Sequence, residues 1–188
     1  MVYEISKEFS FCYGHRVYSQ KLNEEYCAKG DTLCKCRHLH GHEGLVRVHI
    51  ESNNVDSRGM IVDFKELGWL KDFIDTVIDH KFIIDKNDPM FTSLVENIHN
   101  APTCLEVVWV DDTKTMKVGE KVVLDNIQNN TPEYEVLEGY FIVDFVPTSE
   151  NLVKWMYKIV EHKMEKIGAK VSFVEWHETP KTCARYAE

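Results

Sequence analysis

Residues 34–42 read Cys34-Lys35-Cys36-Arg37-His38-Leu39-His40-Gly41-His42, two thiols and three imidazoles in nine positions. From His40 onward the chain alternates, with His40, His42, Val46, Val48 and Ile50 on one face and Glu43, Arg47, His49 and Glu51 on the other. A period of two with one apolar side marks a half-buried strand, so the inner face of this strand begins with two histidines.

Upstream, Phe9, Phe11, Tyr13 and His15 share a face at the same period. Antiparallel pairing of the two strands across the polar loop at about 17–38 brings His15 alongside His40 and His42. Residues i and i+2 of a strand can reach one ion, and three neutral imidazoles with an open fourth position form a catalytic rather than a structural zinc site. Any one of these histidines alone reads as a satisfied core residue; the three together read as metal ligands. A competing closed site would use Cys34, Cys36, His40 and His42. That spacing is crowded, because structural sites usually separate two ligand pairs by a dozen or more residues. Sulfur bonded to zinc at about 2.3 Å distinguishes the closed site from the open one.

The 188 residues suffice for one domain with a sizeable core. With 44% apolar and 28% charged residues, the composition is that of an ordinary globular protein. Twenty-two Lys and Arg against 31 Asp and Glu give a formal charge of −9, which argues against a nucleic-acid-coating protein. The N-terminus lacks the basic start and apolar run of a secretory signal, and no stretch reaches the roughly 18 apolar residues of a membrane span. These features predict a cytoplasmic protein with no membrane or nucleic-acid partner. In that reducing compartment the six cysteines are expected as core fillers, ligands or nucleophiles rather than disulfides.

The pattern also predicts the remaining elements. MIVDF, ending at Asp63, reads as a short strand, and Asp63 with Glu66 as a capping box opening a helix over 64–78 that delivers Asp79 and His80. Thr148 caps a second helix carrying Leu152, Trp155, Met156, Ile159 and Val160. Val171–Glu178 alternates as a strand, and a turn leads to a last strand ending near Tyr186. The insert at about 91–145 reads as β-rich, with strands in LEVVWV, EKVVLDN and YEVLEGYFIVDF and no chemistry-bearing motif.

FSFCYGHR, C-x3-HGH, GMIVDF-x2-L, IDHKFI, PTSENL and VEWHET occur in this order. The set resembles the 6-pyruvoyl tetrahydropterin synthases and their bacterial relatives, the 6-carboxytetrahydropterin synthases, over about 1–90 and 146–188. The resemblance implies an α+β tunnelling fold: an antiparallel four-stranded sheet with two helices on one face, joined as trimers into a β-barrel and usually stacked as hexamers. It also implies His15, His40 and His42 as Zn2+ ligands, Asp79 and His80 as the family's catalytic pair, and Glu178 as the carboxylate that anchors the pterin ring. Thr148 and Ser149 of PTSENL fall at substrate-contacting positions.

For the thiol, the carboxy-forming pattern places the catalytic cysteine four residues before the first HGH histidine, at Cys36. The pyruvoyl-forming pattern places it six before, at Cys34. The short loop CRHLHGH selects Cys36. The implied substrate is 7,8-dihydroneopterin triphosphate, for which Arg16, Lys35 and Arg37 are phosphate contacts by charge alone. Bland rivals stand beside these roles. Asp79-His80 can simply close a helix, where a cationic His is favourable, Glu178 can be a solvated edge-strand charge, and Thr148 a plain cap. Glu43 and Gly44 depart from the polar and aromatic pair that often follows HGH in the family.

Overall fold

Strand β1 runs Tyr3–His15 and β2 His40–Ser52, paired antiparallel in unbroken register from Tyr3↔Ser52 to His15↔His40. The computed structural model describes residues 2–27, 32–98 and 102–188. After β2 come α1 (Gly68–Val77), β3 (Lys81–Asp85), β4 (Leu105–Trp109), β5 (Lys117–Val122), α2 (Pro132–Glu138), β6 (Tyr140–Val143), α3 (Ser149–Met164), β7 (Lys170–Thr179) and β8 (Thr182–Tyr186). The strands form one sheet in the order β4-β5-β6-β3-β1-β2-β7-β8, with β1–β3 and β3–β6 parallel and the other neighbours antiparallel.

The alternation of β1 and β2 buries Phe9, Phe11, Tyr13, Val46, Val48 and Ile50 against α1 and α3. Trp176 of β7 closes this core, fully buried, with its indole N–H donating to Tyr13 Oη at 3.1 Å. A buried Tyr or Trp normally needs such a partner for its polar tip. Gly44 fits the same packing: a Cβ there would come within 2.9 Å of both the Phe11 and Tyr13 rings. The aromatic volume missing after HGH is therefore supplied from β1.

Both caps form where the sequence places them. Asp63 accepts from Lys65 N at 2.9 Å and opens a 3-10 turn over 64–67 that runs into α1. Thr148 accepts from Asn151 N at 3.3 Å at the start of α3. Among the described residues no helix is long and apolar enough to cross a membrane.

Three expectations fail. The sheet has eight strands rather than an antiparallel four, because Lys81–Asp85 adds β3 parallel to β1 and the insert adds β4, β5 and β6 to that edge. MIVDF is not a strand; residues 60–63 are a bent segment leading to the Asp63 cap. In YEVLEGYFIVDF only Tyr140–Val143 is extended, since Thr131 accepts from Tyr134 N and Pro132 sits in the first turn of α2. Proline is pre-organised at that position, and it overrides the apparent alternation that follows.

The insert also builds a second apolar layer. Ile83 and Phe141 face the main core, whereas Ile84 and Ile142 pack with Phe91, Val95, Val122 and Leu137. Strands β3 and β6 are thus covered on both faces, the usual condition of parallel strands. Trp155 of α3 ties the insert to the core by donating to Val118 O at 2.8 Å.

Gly119 of β5 tests this integration, since a Cβ there would stand 2.8 Å from Ile142 O and against the Phe141 ring. Gly119→Ala is expected to destabilise the whole chain by about 1–3 kcal/mol, read as a lower urea midpoint in one transition. An unchanged midpoint would show that the insert is energetically separate.

Candidate functional site

The β1–β2 register sets His15 opposite His40 and Tyr13 opposite His42. Their imidazoles converge, with ring centroids 4.6 Å apart for His15–His40, 5.1 Å for His15–His42 and 4.9 Å for His40–His42. His15 is fully buried, its Nδ1 2.7 Å from Pro147 O; His40 Nδ1 is 2.8 Å from His38 O. A carbonyl only accepts, so both Nδ1 atoms carry the proton and both Nε2 atoms present a lone pair. Backbone orientation of this kind is how metal-binding histidines are fixed. Sequence reading missed both carbonyls, because a backbone acceptor leaves no side-chain signature.

All three Nε2 atoms are buried without a hydrogen-bond partner. The Glu178 Oε1 atom lies 3.2 Å from His15 Nε2 and 3.0 Å from His42 Nε2, close but outside hydrogen-bond geometry. One ligand atom from each of His15, His40, His42 and Glu178 lies within 4.8 Å of the others. Unpaired buried nitrogens are costly, and a cation among them would satisfy all three, so the donor set fits a metal of the zinc type. Burial, and the neighbouring His15 and His40, push the His42 pKa down against the opposing pull of Glu178. The ring is therefore held neutral, as a ligand must be.

Glu178 is more than a solvated charge. Its Oε2 accepts from Ser149 Oγ at 2.7 Å, which fixes the carboxylate beside the imidazoles. Ser149 thus meets the predicted anchor, while the Thr148 side chain is occupied by its cap.

Cys36 sits in a 3-10 turn over Lys35–Arg37, pinned to the strand end by Val17 N donating to Cys36 O at 2.8 Å. Burial, then Cys34 and the Glu178 charge, push its thiol up from the ordinary range. The two thiols do not join the four-residue ligand group. Among the predicted phosphate contacts, Arg16 is buried in an ion pair with Asp88 at 3.0 Å, and Arg37 donates to Cys34 O at 3.1 Å. Neither guanidinium is free in the manner that charge alone suggested.

Asp79 and His80 follow α1, with His80 Nδ1 3.0 Å from Asp79 Oδ2. Asp79 Oδ1 accepts from Cys12 N at 2.8 Å, and His80 N donates to Cys12 O at 2.7 Å. The Cys12 N–H, against burial and joined by His80, holds the Asp79 pKa below its ordinary value. His80 has φ of 58°, a left-handed conformation unusual outside glycine, and its side chain is 80% exposed. An open cleft of about 760 Å³ is lined by Gly14, His40, Gly41, His80, Phe82 and Tyr140 among others.

The family model for 6-pyruvoyl tetrahydropterin synthase matches residues 4–188. The chain belongs to the 6-pyruvoyl tetrahydropterin synthase family. The match runs through the insert, which the six motifs alone leave uncovered. The chain is 33% identical over 196 aligned positions to the 6-carboxy-5,6,7,8-tetrahydropterin synthase of Aquifex aeolicus, covering 100% of this chain and 99% of the relative. It is 27% identical to the human 6-pyruvoyl tetrahydrobiopterin synthase over 70% of this chain and 90% of that one. An uncharacterized protein from Wolinella succinogenes has a similar structure, with TM-score 0.85, 43% identity and coverage of 100% and 99% of the two chains. The Plasmodium vivax 6-pyruvoyltetrahydropterin synthase shares the fold at TM-score 0.56 and 18% identity, covering 100% and 98%. The α+β tunnelling fold is thereby shown for this chain, with the sheet extended to eight strands.

Metal analysis of the purified chain is expected to find a tightly held divalent ion that belongs to the three-histidine group. His40→Ala should lose that equivalent while keeping the far-ultraviolet circular dichroism of the wild type, because the ring is only half-buried. Full retention of the ion in His40→Ala would remove the imidazole group as its site.

Proposed function

We propose that the chain is a zinc-dependent 6-carboxy-5,6,7,8-tetrahydropterin synthase. It converts 7,8-dihydroneopterin triphosphate and water to 6-carboxytetrahydropterin, acetaldehyde and triphosphate, in the cytoplasmic synthesis of 7-deazaguanines such as queuosine. The observation that carries this reading is the convergence of three buried, unpartnered Nε2 atoms, with a partly buried thiol at the four-residue spacing before them. The full-length likeness to the Aquifex aeolicus enzyme supports the carboxy-forming reaction.

His15, His40 and His42 would hold the zinc, which when bound supplies a Lewis acid for the substrate hydroxyls. Glu178, fixed by Ser149, accepts hydrogen bonds from the 2-amino group and ring N–H of the pterin. Cys36 takes the proton from a side-chain carbon. Its thiol is raised by burial, Cys34 and Glu178, so the thiolate needs cationic surroundings to form at neutral pH. Asp79 orients His80, and His80 moves protons to and from the intermediate.

The Asp79–His80 pair holds β1 at Cys12, three residues before His15. At about 3.4 Å per residue this is a separation of about 10 Å along the strand, whereas proton transfer needs contact at hydrogen-bond distance or through one water. We therefore assign each exposed His80 to the site of a neighbouring subunit in the trimer that the family resemblance implies. Separately inactive Cys36→Ala and His80→Ala chains should then regain activity when unfolded together and co-refolded. Mixed assemblies with no more activity than either parent would place the pair in its own chain's site.

A second reading is triphosphate elimination that stops at the 6-pyruvoyl product, with Cys34 as base. The hydrogen-bonding proximity of Cys34 to Cys36 favours keeping it. Incubation with dihydroneopterin triphosphate separates the two: the carboxy-forming reading expects acetaldehyde alongside triphosphate. Cys36→Ala should lower kcat by about 10²–10⁴-fold, the usual contribution of a general base, with zinc retained, and Cys34→Ala should leave most turnover. Triphosphate released without acetaldehyde would establish the second reading.

A further inference from the structure

On the helix-free face of the sheet, β7 and β8 place Glu175, His177 and Cys183 together, one ligand atom from each lying within 4.8 Å of the others. Alternation puts Glu175 and His177 on one face, and the β7–β8 register sets His177 directly opposite Cys183. These residues have no part in the pterin site, because His177 projects to the opposite side of the sheet from Glu178.

We propose that Glu175, His177 and Cys183 form a second metal site, taking a divalent ion of the zinc class. A thiolate with an imidazole selects zinc-like ions over magnesium or calcium, which prefer all-oxygen sites. Ligand atoms within 4.8 Å of one another come onto one ion at bonds of about 2.0–2.3 Å after small side-chain rotations. Thiolate and carboxylate together neutralise a dication. Glu175 is already directed: its Oε2 contacts Arg47 Nη1 at 3.2 Å, His177 Nε2 at 3.4 Å and His49 Nε2 at 3.5 Å, while Oε1 meets no partner among the described residues.

His49 adds a second observation. Its Nδ1 lies 3.1 Å from Glu4 Oε1 and its ring stacks on Phe173 at 3.8 Å, so the imidazole is clamped with Nε2 towards Glu175. That Nε2 is buried and has no hydrogen-bond partner. A carboxylate behind a histidine with the far nitrogen unsatisfied is the arrangement that orients metal ligands. His49 thus flanks the Glu175 carboxylate from β2 and lies outside the three-residue ligand group.

Cobalt reads the site without any activity assay. Full-length protein, reduced and freed of metal, is titrated with Co2+ and its bound equivalents and sulfur-to-cobalt charge-transfer absorption are measured. Two equivalents per chain are expected, one giving the sulfur band. Cys183→Ser and His177→Ala should each lose that band and one equivalent. His40→Ala should keep the band and lose the other equivalent, which separates this site from the pterin-site reading. Cys183 is exposed, so its replacement by Ser removes little packing. A sulfur band that survives Cys183→Ser, or the absence of any sulfur band in the wild type, would overturn the proposal.

Discussion

The β1–β2 register is the constraint on which the candidate site depends. Side chains alternate with period two, so a slip of one residue would send every core side chain of a strand to solvent. Phe9, Phe11 and Tyr13 on one strand and Val46, Val48 and Ile50 on the other make that slip expensive, since each is nearly or fully buried. The three imidazoles lie at the open end of this ladder, on the same face as the core. Hydrophobic burial far from the histidines therefore positions them, and no local ligand-forming loop is needed.

That economy has an electrostatic cost at the strand ends. Three buried nitrogens face one another without a hydrogen-bond partner, and Glu178 approaches two of them outside hydrogen-bond geometry. A cation resolves the mismatch, and binding it adds to the stability of the folded state because the unfolded chain has no comparable site. The carbonyls of Pro147 and His38 fix which nitrogen of His15 and His40 points inward. The residue preceding the α3 cap thus also orients a buried histidine of β1.

Much of this was legible in the sequence because strand alternation is a strong local signal. The HGH face, the position of His15, both helix caps and the family itself could be read from periodicity and motif order. The insert was legible only in part, LEVVWV holding β4 and EKVVLDN the end of β5. Its strand β6 and the neighbouring β3 are covered on both faces, so they read as apolar runs without period, and α2 has apolar residues spaced much as a strand would. The carbonyl partners of the histidines, the ion pair that occupies Arg16 and the second ligand group all depend on tertiary contacts between distant segments. Only folding creates them.

Strand β7 carries Trp176, His177 and Glu178 in succession, with the first and third turned to the core side and the middle one to the helix-free side. These three consecutive residues serve a packed interior, one ligand group and another, and the sheet between them acts as a partition. Loss or gain of a single residue here would exchange the occupants of the two compartments, sending an indole to water and a carboxylate to the wrong side. This stretch can therefore diverge by substitution but not by changes in length, and drift in loop size must be absorbed beyond the bulge between His177 and Thr179.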